Sequence, residues 1–105
     1  VSTFDGVSVV KEANIYFDGK VSSRTIIFPD GSKKTLGLLL PGEYHFNTDA
    51  PEHMLITQGA AEYRWNENDD WKKVETGGEF NVPGKSSFDI RALEITDYCC
   101  SFIEG

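Results

Sequence analysis

The sequence predicts an all-β fold, a sandwich or barrel of nine or ten short strands. Three observations predict it. No stretch of eleven or more residues holds a helical period; short runs alternate apolar and polar residues; and turn-forming pairs recur at close spacing. Those pairs are Asp18-Gly19, Pro29-Asp30-Gly31, Pro41-Gly42, Gly77-Gly78 and Pro83-Gly84.

Taken in order, residues 1–11 alternate Val7 and Val9 on one face and read as a leading edge strand. Asn14 to Lys20 turns at Asp18-Gly19. Val21 to Phe28 is rich in β-branched residues and closes at Pro29-Asp30-Gly31, with Lys33 to Leu40 returning as its hairpin partner. After Pro41-Gly42, Glu43 to Thr48 is extended, and Asp49-Ala50-Pro51 bends the chain. Glu52 to Gln58 then sets Glu52, Met54, Ile56 and Gln58 on one face against His53, Leu55 and Thr57. Gly59 breaks this strand. Ala60 to Trp65, a polar tip at 66–70 and the residues after Trp71 form the next hairpin. Glu79 to Val82, Ser86 to Leu93 and Ile95 to Ile103 complete the chain.

Composition narrows the function. At 105 residues the chain holds one core, and residues 1–13 read as an N-terminal extension to a single domain. No apolar run approaches the ~20 residues of a membrane helix. The net charge is −7, and the ten lysines and arginines are scattered. An acidic chain without a basic stripe repels a phosphate backbone, so nucleic acid is not the expected partner. Cys99 and Cys100 are adjacent, give no metal spacing and no disulfide framework, and read as buried thiols of a terminal strand. No basic segment followed by an apolar one opens the sequence. A cytoplasmic, reducing location is the expectation.

The middle of the chain carries a resemblance. Six residues separate Glu52 from Gly59, in the manner of the first cupin motif. Gly77 and Pro83 are spaced like the start of the second. This resemblance implies a cupin-type jelly-roll barrel. Ordinary cupins hold a divalent metal through two histidines and a glutamate of motif one and a histidine of motif two. Here the first two slots fall on His45 and Asn47, or on Phe46 and Thr48, and the motif-two slot falls at Phe88. His45 and Glu52 alone do not make a first-row metal site, so no metal is expected.

A narrower resemblance spans nearly the whole chain. Asn14-x-Tyr16-Phe17-x-Gly19-Lys20-Val21, Pro41-Gly42-Glu43-Tyr44-x-Phe46-x-Thr48, Glu52-x-Met54, Gly59, Trp71, Gly78-x-Phe80-x-Val82-Pro83-Gly84, Ser87-Phe88 and Tyr98-x-Cys100 recur in order. Together they resemble the pyrimidine/purine nucleoside phosphorylase family, small single-domain cupins. The resemblance implies that purine and pyrimidine nucleosides are split by inorganic phosphate to free base and pentose 1-phosphate. It implies no cofactor beyond phosphate as co-substrate, and a homodimer. The competing readings are a non-catalytic small-molecule-binding cupin and a metal-dependent cupin enzyme.

Phosphorolysis requires phosphate to be held, positive charge on the sugar to be tolerated, and the departing base to be protonated or hydrogen-bonded. Glu52 is the expected catalytic carboxylate, with a structural glutamate bonded to a tyrosine or backbone as the alternative. Tyr44, Phe46 and Phe88 are candidates to stack on the base, against the alternative that they are core, and Gln58 to read a base edge. Lys85, Arg91, Arg24 and His45 are the candidate phosphate ligands, against the alternative that each is a solvated surface charge. Strict alternation forbids Tyr44 and His45 from facing the same way.

Overall fold

The structure is a computed structural model and describes residues 2–103. It is built from two antiparallel sheets packed face to face, a cupin-type jelly roll. Eleven strands lie among the described residues: β1 (Ser8–Val9), β2 (Asn14–Tyr16), β3 (Val21–Ile27), β4 (Lys33–Leu39), β5 (Gly42–Asn47), β6 (Glu52–Gln58), β7 (Ala60–Arg64), β8 (Lys72–Glu75), β9 (Glu79–Val82), β10 (Ser87–Ala92) and β11 (Thr96–Phe102). The larger sheet runs β1-β3-β4-β11-β6-β9, with β2 also on β3; the smaller runs β5-β10-β7-β8.

The leading segment is less regular than its alternation predicts. Of residues 1–11 only Ser8–Val9 pair, against Ile27 and Ile26, and Val1 lies outside the described residues. The edge of β3 is shared by β1 at one end and β2 at the other, a division that leaves little of it open. The same segment covers part of the larger sheet's outer face. Phe4 meets Phe28 edge-on, with the Lys34 ammonium 5.7 Å from both ring centres.

Between the sheets the alternation of each strand delivers its apolar residues inward. Val21, Leu39, Met54, Ile56 and Phe80 from the larger sheet meet Tyr44, Ala61, Phe88, Ile90 and Ala92 from the smaller. Tyr63 of β7 stacks on Phe80 of β9 with ring centres 3.9 Å apart, stitching the two sheets together. Cys99 and Cys100 are both buried and free.

The chain changes sheet at Gly59, and the reason is steric. Its φ of +112° suits only glycine, and a Cβ there would stand 2.7 Å from Thr96 Oγ1. Its N–H donates to Thr76 Oγ1 at 3.0 Å, so the corner is also bonded. At the other end Thr48 Oγ1 donates to Pro83 O at 2.6 Å and accepts the Ser86 N–H at 3.0 Å. That strap ties the exit of β5 to the entry of β10, next to the bend that starts β6.

Candidate functional site

A cavity of about 180 Å³ opens between the sheets beside that strap. Its walls come from seven strands: Tyr16 of β2, Ser23 of β3, Thr35 and Leu39 of β4, Phe46 and Asn47 of β5, Glu52 and Met54 of β6, Phe88 and Ile90 of β10, and Tyr98, Cys100 and Phe102 of β11. Alternation explains most of the choice: β4, β6, β10 and β11 contribute residues an even number of positions apart, while β5 contributes the consecutive Phe46 and Asn47 at its end.

Glu52 is the one carboxylate on this wall among the described residues, and it is half-buried. Its Oε1 accepts the thiol of Cys100 at 3.4 Å, its single hydrogen bond among the described residues. Burial raises its pKa above the usual glutamate value. The bond from Cys100 opposes that rise and the charge of Asp49 adds to it. Burial also pushes up the Cys100 thiol, reinforced by the neighbouring Glu52 charge, and pushes up the Tyr98 hydroxyl, against a hydrogen bond from Ser23 that lowers it. The cavity therefore presents one carboxylate, neutral hydroxyl and thiol donors, and aromatic surface.

Of the positions at which a cupin would carry histidines, the motif-two slot is Phe88, and the motif-one slots are His45 and Asn47 or Phe46 and Thr48. Phe46 and Phe88 are register partners across β5 and β10, and they stack with centres 5.7 Å apart. His45, the one histidine among these slots, points to the outer face, where its Nδ1 lies 2.7 Å from Asp89 Oδ1. Among the described residues no three His, Cys, Asp or Glu side chains gather as a metal-binding group. The donor set around Glu52 does not fit a cupin metal.

The structure brings together three of the residues singled out in the sequence: Glu52, Phe46 and Phe88. The others do not line this cavity. Tyr44 points inward as expected, but it is a core residue whose hydroxyl donates to Leu40 O at 2.7 Å. Gln58, expected on the Glu52 face, is exposed. A register shift between Asp97 and Tyr98 breaks the alternation, pairing Gln58 with Asp97 after Ile56 has paired with Tyr98.

The four candidate phosphate ligands are scattered. Arg24 is exposed on the larger sheet and donates to Lys11 O at 3.1 Å. Arg91 Nε donates to Glu62 Oε1 at 2.7 Å on the outer face of the smaller sheet. There the Arg91 and Arg64 guanidiniums lie 4.3 and 4.2 Å from the Trp71 ring. Arg64 shares Asp89 with His45. Lys85 alone stands near the cavity. It lines a shallow depression with Asp49, Pro51 and Phe102, and Phe102 is also part of the cavity wall.

Sequence reasoning missed Tyr16, Ser23, Thr35, Asn47, Tyr98 and Cys100 as cavity residues. The alternation of Tyr98 and Cys100 against Cys99 is visible in the sequence. Which of the two faces looks inward depends on the pairing of β11 between β4 and β6. Tyr16 is 44% exposed and reaches the cavity only because β2 folds against β3, placing its ring edge-on to Phe46 at 6.1 Å. Beside it Phe17 and Asp18 adopt φ of 50° and 56°, and Phe17 packs against Tyr44 and Phe46.

No helix among the described residues is long and apolar enough to cross a membrane. A family model described as pyrimidine/purine nucleoside phosphorylase matches residues 11–102. Over 103 residues the chain is 52% identical to a protein of Geobacter sulfurreducens named pyrimidine/purine nucleoside phosphorylase, covering 98% of this chain and 99% of that one. A protein of the same name from Geotalea daltonii is 55% identical over 103 residues, with the same coverage of each chain. The crystal structure of a protein of unknown function (DUF1255) from Acinetobacter sp. ADP1 matches with a TM-score of 0.92 at 39% identity, covering 96% of this chain and 98% of that one.

Proposed function

The chain belongs to the pyrimidine/purine nucleoside phosphorylase family, and from that premise we propose that it splits purine and pyrimidine nucleosides with inorganic phosphate in the cavity at Glu52. The products are a free base and a pentose 1-phosphate. The observation that carries this reading is the half-buried Glu52 carboxylate in a cavity otherwise walled by rings and neutral donors.

In the reaction a phosphate oxygen bonds to the anomeric carbon as the glycosidic C–N bond breaks. The bonding pair leaves with the base, and the proton carried by the phosphate ends on it. Positive charge builds on the sugar in between. A carboxylate in a poorly solvated wall stabilises that charge more strongly than one in water. Glu52 supplies the carboxylate, and Ser23, Thr35 and Asn47 supply partners for sugar hydroxyls.

A cavity of about 180 Å³ is below the ~300 Å³ at which ligand pockets usually begin. The pentose takes the interior and the base lies at the mouth, against Tyr16 and Phe46. Stacking on flat rings discriminates little between purine and pyrimidine, which supports breadth of substrate. Lys85 is the cation best placed to meet phosphate, because its depression adjoins the cavity at Phe102. The reaction is metal-independent in this reading, a view supported by Phe88 at the motif-two histidine slot and by His45 turned outward to Asp89. Exposed Val9, Ile15 and Leu36 on the outer face of the larger sheet support pairing of two copies there.

The test is to incubate the purified protein with inosine or uridine, with and without phosphate, and to measure base and pentose 1-phosphate. Phosphate-dependent release of both, unaffected by a chelator, supports the reading. Release without phosphate, or none, overturns it and favours a binding protein. Loss of activity to the chelator overturns the metal-independent part.

A further inference from the structure

Glu52 and Cys100 are diagonal neighbours on the cavity side of the larger sheet. β6 sets Glu52 opposite Phe102, while β11 sets Cys100 opposite Met54. The 3.4 Å bond from Cys100 Sγ to Glu52 Oε1 follows from that register. Thr35, Ser23 and Tyr98 line the same cavity, yet none of them bonds to Glu52.

We infer that Cys100 is a positioning residue for Glu52, its S–H group holding Oε1 so that the second carboxylate oxygen is presented to the sugar. The catalytic consequence rests on the phosphorolysis reading; the hydrogen bond does not.

Two observations and the chemistry of a thiol carry the inference. Cys100 is 5% exposed, so bulk solvent offers its thiol little competition with the carboxylate. Burial and the adjacent negative charge both disfavour a thiolate, which keeps the group a donor at working pH. A thiol is also a weak donor. It orients the carboxylate without neutralising it as an arginine would, so the charge remains available to the sugar. The other titratable groups near Glu52 are Asp49 in the preceding bend, Tyr98 on β11, Tyr16 at the mouth and Lys85 in the adjoining depression. Among the described residues no cation lines the cavity itself. Cys99, one residue away, lies on the opposite face against Leu55 and Thr57 and has no carboxylate partner among the described residues.

Infrared spectroscopy tests the bond directly, because S–H stretching falls where other protein bands are absent. Cys99→Ala leaves Cys100 as the single thiol. Its S–H band should move to lower frequency as pH rises through the titration of Glu52, and Glu52→Gln in the same background should abolish that pH dependence. In kinetics, Cys100→Ala should lower kcat about tenfold. It should also shift the acid limb of kcat up by about half a pH unit, with Cys100→Ser restoring both. A pH-independent S–H band overturns the inference, as does an alanine variant with the parent's kcat and acid limb. If no phosphorolysis is found at all, the phosphorylase reading fails, while the infrared measurement still decides the bond.

Discussion

The ring of Tyr98 occupies the space in which any side chain at Gly37 would have to stand. The two are register partners across β4 and β11, and a Cβ on Gly37 would collide with Cζ and Cε1 of that ring. Gly37→Ala should therefore displace Tyr98 toward the cavity it lines. Overpacking of this kind costs roughly 1–3 kcal/mol, readable in urea denaturation, and turnover should fall with it. Unchanged stability would mean that the ring relaxes freely.

Glu52 should set the acid side of the pH profile. Its raised pKa means that the carboxylate is lost, as pH falls, earlier than an ordinary glutamate would be. Glu52→Gln should lower kcat on the order of 10²-fold. The stability effect has the opposite sense. A carboxyl group whose folded pKa lies above its unfolded one favours the fold most below the unfolded value, and that contribution is lost as pH rises through the folded value. Glu52→Gln should thus melt higher than the parent at neutral pH, and the gap should close in acid. A parent that melts higher at neutral pH would contradict this.

Lys85 offers a separation of turn from charge. It holds φ of 50°, a conformation that costs a non-glycine residue roughly 1 kcal/mol. Lys85→Gly should match or exceed the parent's stability while removing the cation. The KM for phosphate should then rise about tenfold, and the KM for nucleoside should change little. An unchanged phosphate KM would place the phosphate elsewhere.

Asp89 joins His45 and Arg64 on the outer face of the smaller sheet, with bonds of 2.7 and 2.9 Å. The His45 bond, followed by those to Arg64, holds its carboxyl below the usual aspartate range. Stability from a depressed carboxyl is present above the unfolded pKa and lost as pH falls through the folded one. Asp89→Asn should cost roughly 1 kcal/mol at neutral pH. The difference should vanish at strongly acid pH, as thermal melts across pH would show. Activity at saturating substrate should survive, since this face is turned away from the cavity.

Much of the architecture was legible because its causes are local. Pro29-Asp30-Gly31 and Asp18-Gly19 turn the chain wherever they stand, and the alternation of Phe88, Ile90 and Ala92 buries one face of any strand that holds them. Glu52 was legible for a related reason: its place at the head of the Met54–Ile56 face puts it inward with them. Gln58 was misread on the same logic, because the register shift opposite it is a property of the β6–β11 pair.

The all-β class, the two-sided strands, the turns and a family resemblance are readable in the order of residues alone. These depend on backbone sterics and on a period of two residues, which operate within a few positions. Which polar groups meet is set by how the strands pair. The bond between Glu52 and Cys100 joins residues 48 positions apart, and the stacking of Phe46 on Phe88 closes a comparable gap. Tyr16 entered the cavity wall and Arg24, Arg91 and His45 stayed outside it for the same physical reason. A side chain's face follows from its strand, but its neighbours follow from the order and register in which strands from distant parts of the chain pair.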